Sequence, residues 1–157
     1  MQIVDIDFCG IEDLDVLYAV ECACFASPWK RYMLESDLQD LGGVVYLKAV
    51  AGGGIIAGYG VLSRNDRDSH LQNLAVLPEY RRLGVASQLM IGFDEISEEW
   101  GCMRMCLEVR VSNKIARDFY AKIGFSYHSI SIGYYADGED ALNLTAKIPL
   151  RVGESLG

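Results

Sequence analysis

The chain has 157 residues, 51% hydrophobic and 23% charged, with 14 Lys and Arg against 22 Asp and Glu for a formal net charge of -8. This suits a single soluble domain with a proper core, and the acidic balance disfavours a nucleic-acid backbone as partner. No apolar run reaches the roughly 20 residues of a membrane span, and Met1-Gln2-Ile3-Val4-Asp5 carries no basic-then-apolar leader, so the expectation is a cytoplasmic protein without membrane attachment.

In chain order, Ile3, Val4 and Ile6 predict a short strand. Ile11 to Phe25 then carries Leu14, Leu17, Tyr18 and Cys22 at helical spacing, with Glu12 and Asp13 at its positive end. Pro28 keeps Ser27 out of the α region and breaks the chain, after which a second helix is expected from about Lys30 to Leu38. Val44–Val50 and Ile55–Leu62 read as a strand pair joined across Ala51-Gly52-Gly53-Gly54. No helix follows Gly58-Tyr59-Gly60, so those glycines point to a bulge or a close backbone contact rather than a nucleotide loop. The five cysteines (Cys9, Cys22, Cys24, Cys102, Cys106) form no C-x-x-C pair, and both histidines lie far from them in sequence. Buried reduced thiols are expected, and no metal site.

Strand Leu71–Leu77, helix Gly84–Trp100 and alternating strand Met103–Val109 form a βαβ unit, so the two strands should be parallel with a right-handed crossover. On the last of these strands Met103, Met105, Leu107 and Val109 take one face. Gly101 ends the helix between them. A final helix starts near Ser112-Asn113, both good caps, and closes at Gly124. Phe125–Gly133 and Leu142–Leu150 predict a terminal strand pair, leaving a frayed tail at 151–157 after a domain at 1–150.

The chemistry concentrates in two stretches. The first runs from Gln72 to Ala86: a buried strand, Pro78, then Arg81-Arg82-Leu83-Gly84-Val85-Ala86 before a helix. Free first-turn N–H groups, the helix dipole and a glycine that admits close approach make an anion site, to which the arginines add charge-assisted bonds. The second stretch puts Glu108 near a strand's C-terminal end and Tyr120 twelve positions on, inside the next helix. Ligands collect at such strand ends, so one ligand could span Glu108 and the Arg81–Ala86 loop. Taken singly, Glu108 also reads as a solvated strand carboxylate and Tyr120 as a core tyrosine.

Together, Asn-Leu-Ala-Val-x-Pro-x-Tyr-Arg-Arg-x-Gly-x-Ala at 73–86 and Leu-Glu-Val-Arg-x-Ser-Asn-x-x-Ala-x-x-x-Tyr-x-x-x-Gly-Phe at 107–125 resemble the ribosomal-protein alanine N-acetyltransferase (RimI) family of the GNAT superfamily. Phe25-Ala26-Ser27-Pro28-Trp29 and Tyr134-Tyr135-Ala136-Asp137-Gly138-Glu139-Asp140-Ala141 extend the resemblance over nearly the whole chain. It implies a single-domain GNAT α/β fold, a mixed and largely antiparallel twisted sheet whose central parallel pair is splayed to admit acetyl-CoA. The implied activity is acetyl transfer from acetyl-CoA, without a metal, to a protein N-terminal α-amine, with ribosomal protein S18 the expected substrate.

By the same resemblance Glu108 is the general base and Tyr120 the general acid. Leu74, Ala75 and Val76 line the pantetheine arm, Arg81, Arg82, Leu83, Gly84, Val85 and Ala86 hold the pyrophosphate, and Asn113 contacts the cofactor. Trp29, Tyr134, Tyr135, Glu139 and Asp140 could wall a peptide slot, or form a polar hairpin turn over packed aromatics. Departures are Lys30 after Pro28-Trp29, Ala86 in place of a second loop glycine, and Asn143-Leu144 in place of the usual final apolar run. The first and third bear on peptide preference.

Overall fold

The computed structural model describes residues 1–152. Its strands are β1 (Asp5–Phe8), β2 (Val44–Ala51), β3 (Ile55–Asn65), β4 (Asp68–Val76), β5 (Arg104–Arg110), β6 (Ser126–Ser131) and β7 (Ala141–Lys147), and its helices α1 (Leu14–Cys24), α2 (Arg31–Gln39), α3 (Val85–Glu99) and α4 (Lys114–Lys122). The strands form one sheet in the order β1-β2-β3-β4-β5-β7-β6. Among the described residues only β4 and β5 run parallel, joined by α3 as the βαβ reading requires. The other pairs are antiparallel, and β7 inserts between β5 and β6.

The sheet is covered on two faces. On one, Leu14, Leu17 and Val20 of α1 and Leu34 and Leu38 of α2 bury against Tyr46, Tyr59 and Val61. On the other, Leu89, Met90 and Phe93 of α3, with Tyr120 and Ile123, bury against Leu62, Met105, Leu107 and Val109. Fully buried Leu and Phe side chains contribute about 1.5–3 kcal/mol each, so these two cores supply the driving force. The close contact expected at Gly58-Tyr59-Gly60 is present: a Cβ on Gly60 would lie 2.6 Å from Phe93, and one on Gly58 2.6 Å from the Ala75 carbonyl.

Several expectations change. The first strand starts at Asp5, because Val4's amide is drawn to the Gln88 side chain, 3.1 Å away, which straps the N-terminus to α3. Met103 is 64% exposed, since β5 begins one residue later and only Met105, Leu107 and Val109 reach the core. Of the five thiols only Cys9 and Cys102 are buried, while Cys22 is exposed on the outer side of α1. The packed chain also continues beyond residue 150: the Arg151 N–H donates to the Ile123 carbonyl (3.0 Å) and Val152 is buried. Residues 153–157 of the expected tail lie outside the described residues.

Candidate active site

The site is built where β4 leaves β5. The two pair only from Asp68 opposite Arg104 to Leu71 opposite Leu107. Beyond that point β4 stays with β3, and β5 stays with β7 as far as Arg110 opposite Ala141. A bulge marks the parting: Leu62 faces Leu71 and Val61 faces Asn73, so Gln72 is an extra residue. One inserted residue reverses a strand's alternation. Leu71 packs on the α3 side, and after the bulge Leu74 and Val76 do so too, while Ala75 joins the α1 side. Because the Leu77 N–H donates to Ala57 O (2.8 Å), alternation turns the amides of Leu74 and Val76 away from β3 and into the gap.

The loop after β4 is shaped for an anion. Arg82 and Gly84 both hold left-handed backbone, with φ of 63° and 81°, and Gly84 is the N-cap of α3. A non-glycine residue in that region costs about 1–2 kcal/mol, strain of the kind found at ligand clamps. The first-turn amides of α3 lack intrahelical acceptors and sit at the dipole's positive end. The Val85 side chain is sealed in the core, so this residue offers only its amide. Arg81 folds back: its Nε donates to the Val76 carbonyl (2.9 Å), which also accepts from Cys24 Sγ (3.3 Å).

The opposite mouth of the gap is a cavity of about 250 Å³ lined by Trp29, His70, Leu71, Gln72, Glu108, Tyr134 and Tyr135. At its floor His70 Nε2 lies 2.6 Å from Glu108 Oε2 and 3.0 Å from Oε1, and the Tyr134 hydroxyl donates to Oε1 at 3.1 Å. Burial works to raise the Glu108 pKa, but hydrogen bonding and charge from His70, helped by Tyr134, outweigh it and hold the carboxyl below its ordinary range. Tyr120 comes from the α3 side, 8% exposed between Phe119 and Phe125. Burial, then the neighbouring Tyr135, push its pKa up, so the phenol keeps its proton.

Two buttresses hold the cavity wall. Arg110 Nη1 binds Asp137 (2.9 and 3.1 Å) and Glu139 (2.9 Å), and its guanidinium lies 4.0 Å over the Tyr135 ring. The other oxygen of Glu139 accepts the Ser112 N–H at 2.9 Å. Ser112 first, then Arg110, draw the Glu139 pKa down to about 2. The second buttress is Glu21 of α1, 1% exposed. Its Oε1 accepts from the Tyr59 hydroxyl (2.6 Å) and Asn73 Nδ2 (2.7 Å), and its Oε2 accepts the Trp29 N–H (2.8 Å). A buried carboxylate satisfied by three donors fixes the turn after α1 to the splayed half of β4.

The structure thus brings Trp29, Tyr134 and Tyr135 to one cavity with Glu108, and sets Leu74, Ala75, Val76 and the 81–86 loop along the gap. Glu139 stands behind the lining residues of this cavity, one oxygen accepting from Arg110 and the other from the Ser112 N–H, and so braces its wall. Asp140 likewise accepts the Gly133 N–H. Asn113 caps α4, its Oδ1 accepting the Ala116 N–H at 3.2 Å. Sequence reasoning missed His70 and Glu21. The signal for Glu21 was a carboxylate four positions after Leu17, on the apolar stripe of its helix. His70 shows only once its strand is set in register with Cys106, two residues before Glu108.

Residues 14–125 match the model of the Acetyltransferase (GNAT) family. A Bacillus subtilis protein named as a putative ribosomal protein bS18-alanine N-acetyltransferase is 37% identical over 84% of this chain and 87% of its own. The Escherichia coli ribosomal-protein-S18-alanine N-acetyltransferase superposes with a TM-score of 0.83 at 28% identity, over 93% of this chain and 94% of its own. Ard1 of Thermoplasma volcanium shares the fold, with a TM-score of 0.84 at 24% identity over 92% and 97% of the two chains. This chain belongs to the GNAT acetyltransferase family, as an acetyl-CoA-dependent N-acetyltransferase.

Proposed function

We propose that this protein acetylates the N-terminal α-amine of a protein, with an alanine-first ribosomal S18 terminus as the favoured acceptor, and that it does so in the cytoplasm without a nucleic-acid or membrane partner. The names of the B. subtilis and E. coli relatives support the acceptor. The observation that carries the reading is the gap left where β4 and β5 part after Leu71 and Leu107, with the cavity of Trp29, His70, Glu108 and Tyr134 beside it. On the α3 side the 81–86 loop and the α3 N-terminus would hold the pyrophosphate, and the Leu74–Val76 edge the pantetheine arm. When bound, acetyl-CoA supplies the acetyl thioester.

The acceptor enters from the other face, between Trp29 and the Tyr134–Tyr135 turn. An α-amine has a pKa of about 7.7–8.0 against about 10.4 for lysine, so a base supplied by the paired His70 and Glu108 can uncover it near neutral pH. The Val76 N–H, turned into the gap, is a donor for the carbonyl oxygen as negative charge develops there. Tyr120, kept protonated, supplies the sulfur's proton.

The test is mass spectrometry of a peptide panel incubated with the protein and acetyl-CoA, varying the first residue and including an α-blocked peptide with a lysine. One acetyl group on the free Ala-first peptide and none on the blocked one is expected. Acetylation of the blocked peptide would move the enzyme to the lysine class, and no product with acetyl-CoA bound would leave a binding module. Glu108→Gln should lower kcat about 100-fold while the acetyl-CoA dissociation constant stays within twofold.

A further inference from the structure

Resting on that reading, we propose that His70 is the group that takes the acceptor's proton, with Glu108 fixing the tautomer of its ring and balancing its charge. Both Glu108 oxygens lie on Nε2. An ionised carboxylate can only accept, so Nε2 carries the hydrogen, and the accepting nitrogen of the neutral ring is Nδ1. That nitrogen has no hydrogen-bond partner among the described residues and is not sealed away from solvent.

Glu108 itself is poorly placed to take the proton. Its oxygens already receive His70 and Tyr134, and a carboxyl held below its ordinary range is a weak match to an ammonium of about 7.7–8.0. The neutral His70 ring, with one nitrogen committed to Glu108 and the other unpartnered in the wall of the cavity, is the group left to accept it. The groups around the ring are Glu108 and Cys106 on β5, Ser63 on β3, Tyr134 and Tyr135 after β6, and Trp29 before α2. Glu108 is the carboxylate that contacts the ring, while Asp68 and Arg104, two register steps back on β4 and β5, are paired with each other.

The proton count closes. One N–H bond of the incoming ammonium breaks and its proton passes to Nδ1, giving an imidazolium paired with Glu108. The freed lone pair forms the new C–N bond, and as the C–S bond breaks Tyr120 gives its proton to sulfur. The surplus proton on the acceptor nitrogen returns to the Tyr120 oxygen. The proton on His70 leaves through the cavity, which accounts for the one proton released per turnover.

His70→Gln keeps an N–H toward Glu108 and removes the accepting ring nitrogen. With an Ala-first peptide, kcat should fall about 100-fold and its rise with pH through the near-neutral range should flatten, while calorimetric acetyl-CoA affinity is unchanged. Glu108→Gln should slow turnover yet keep that near-neutral rise. In the free protein, nitrogen-15 NMR should show the neutral His70 ring hydrogenated at Nε2, assigned by its loss in His70→Gln, and mixed tautomers in Glu108→Gln. A His70→Gln enzyme that keeps its kcat and its pH profile overturns the proposal. So does a neutral ring hydrogenated at Nδ1. Failure of the wild type to acetylate any α-amine would strike the function reading instead, and the NMR result would still decide the tautomer.

Discussion

The two mouths of the gap are built on different plans. The cofactor side is one continuous segment, residues 72–86, in which strand edge, turn, left-handed loop and helix start follow one another along the backbone. The acceptor side draws Trp29, His70, Glu108 and Tyr134 from four separate parts of the chain. It is held by side-chain ties that span 27 to 52 positions, from Asn73 to Glu21 and from Arg110 to Asp137 and Glu139. Backbone amides and a helix dipole recognise an anion whatever the side chains around them, so the first plan suits a ligand that never changes. The second can be re-cut by single substitutions, which suits the ligand that defines an enzyme's specificity.

Three substitutions separate the two plans from each other and from the chemistry between them. Tyr120→Phe has the largest effect and belongs to neither. Its hydroxyl donates to no protein group among the described residues, so Tm should move by less than about 2 °C while kcat drops on the order of 50-fold. Unaltered kcat would remove it as the acid. Gly84→Ala strikes the cofactor side alone. Forcing a Cβ onto a φ of 81° costs about 1–2 kcal/mol, which should weaken acetyl-CoA binding about tenfold by calorimetry and leave the peptide KM alone. An equal rise in both constants would show that the mouths are not independent.

Glu139→Gln is the mildest and touches the acceptor side. Loosening the Arg110 clamp should raise the peptide KM about threefold, less at high salt, with acetyl-CoA binding unchanged. It also has a pH signature. The folded Glu139 pKa of about 2 lies below the ordinary value of about 4.3, so its stabilisation is complete above the unfolded value and is lost as pH falls from there toward 2. Thermal melts of Glu139→Gln should therefore lose less stability than the wild type between pH 5 and pH 2. Parallel curves would detach Glu139 from the wall.

The contrast between the mouths also explains what could be read before folding. The loop, its helix, the parallel pair and the strand–helix position of Glu108 and Tyr120 were legible because each is a local pattern of spacing, glycine and charge. The bracing part of Glu139 was not legible because its partner Arg110 lies 29 positions away, and nothing in a turn's own sequence shows that a distant guanidinium binds its carboxylate. His70 and Glu108 sit 38 positions apart and become neighbours only through strand register, a quantity that periodicity along one strand does not contain. Met103 failed for the opposite reason: its alternation was right, but the strand had not yet begun.

The extra residue at Gln72 carries one more consequence, for insertions and deletions. Its side chain is exposed and makes one bond, from Nε2 to Ser63 Oγ at 2.8 Å, so replacing it costs little. Removing it would shift the reading frame of everything after it on β4. Leu74 and Val76 would swing onto the Glu21 carboxylate, and Asn73 and Ala75 onto the apolar face of α3. For the fold, the position is therefore free in identity and fixed in count: what it contributes there is length, one added residue at the point where the sheet parts.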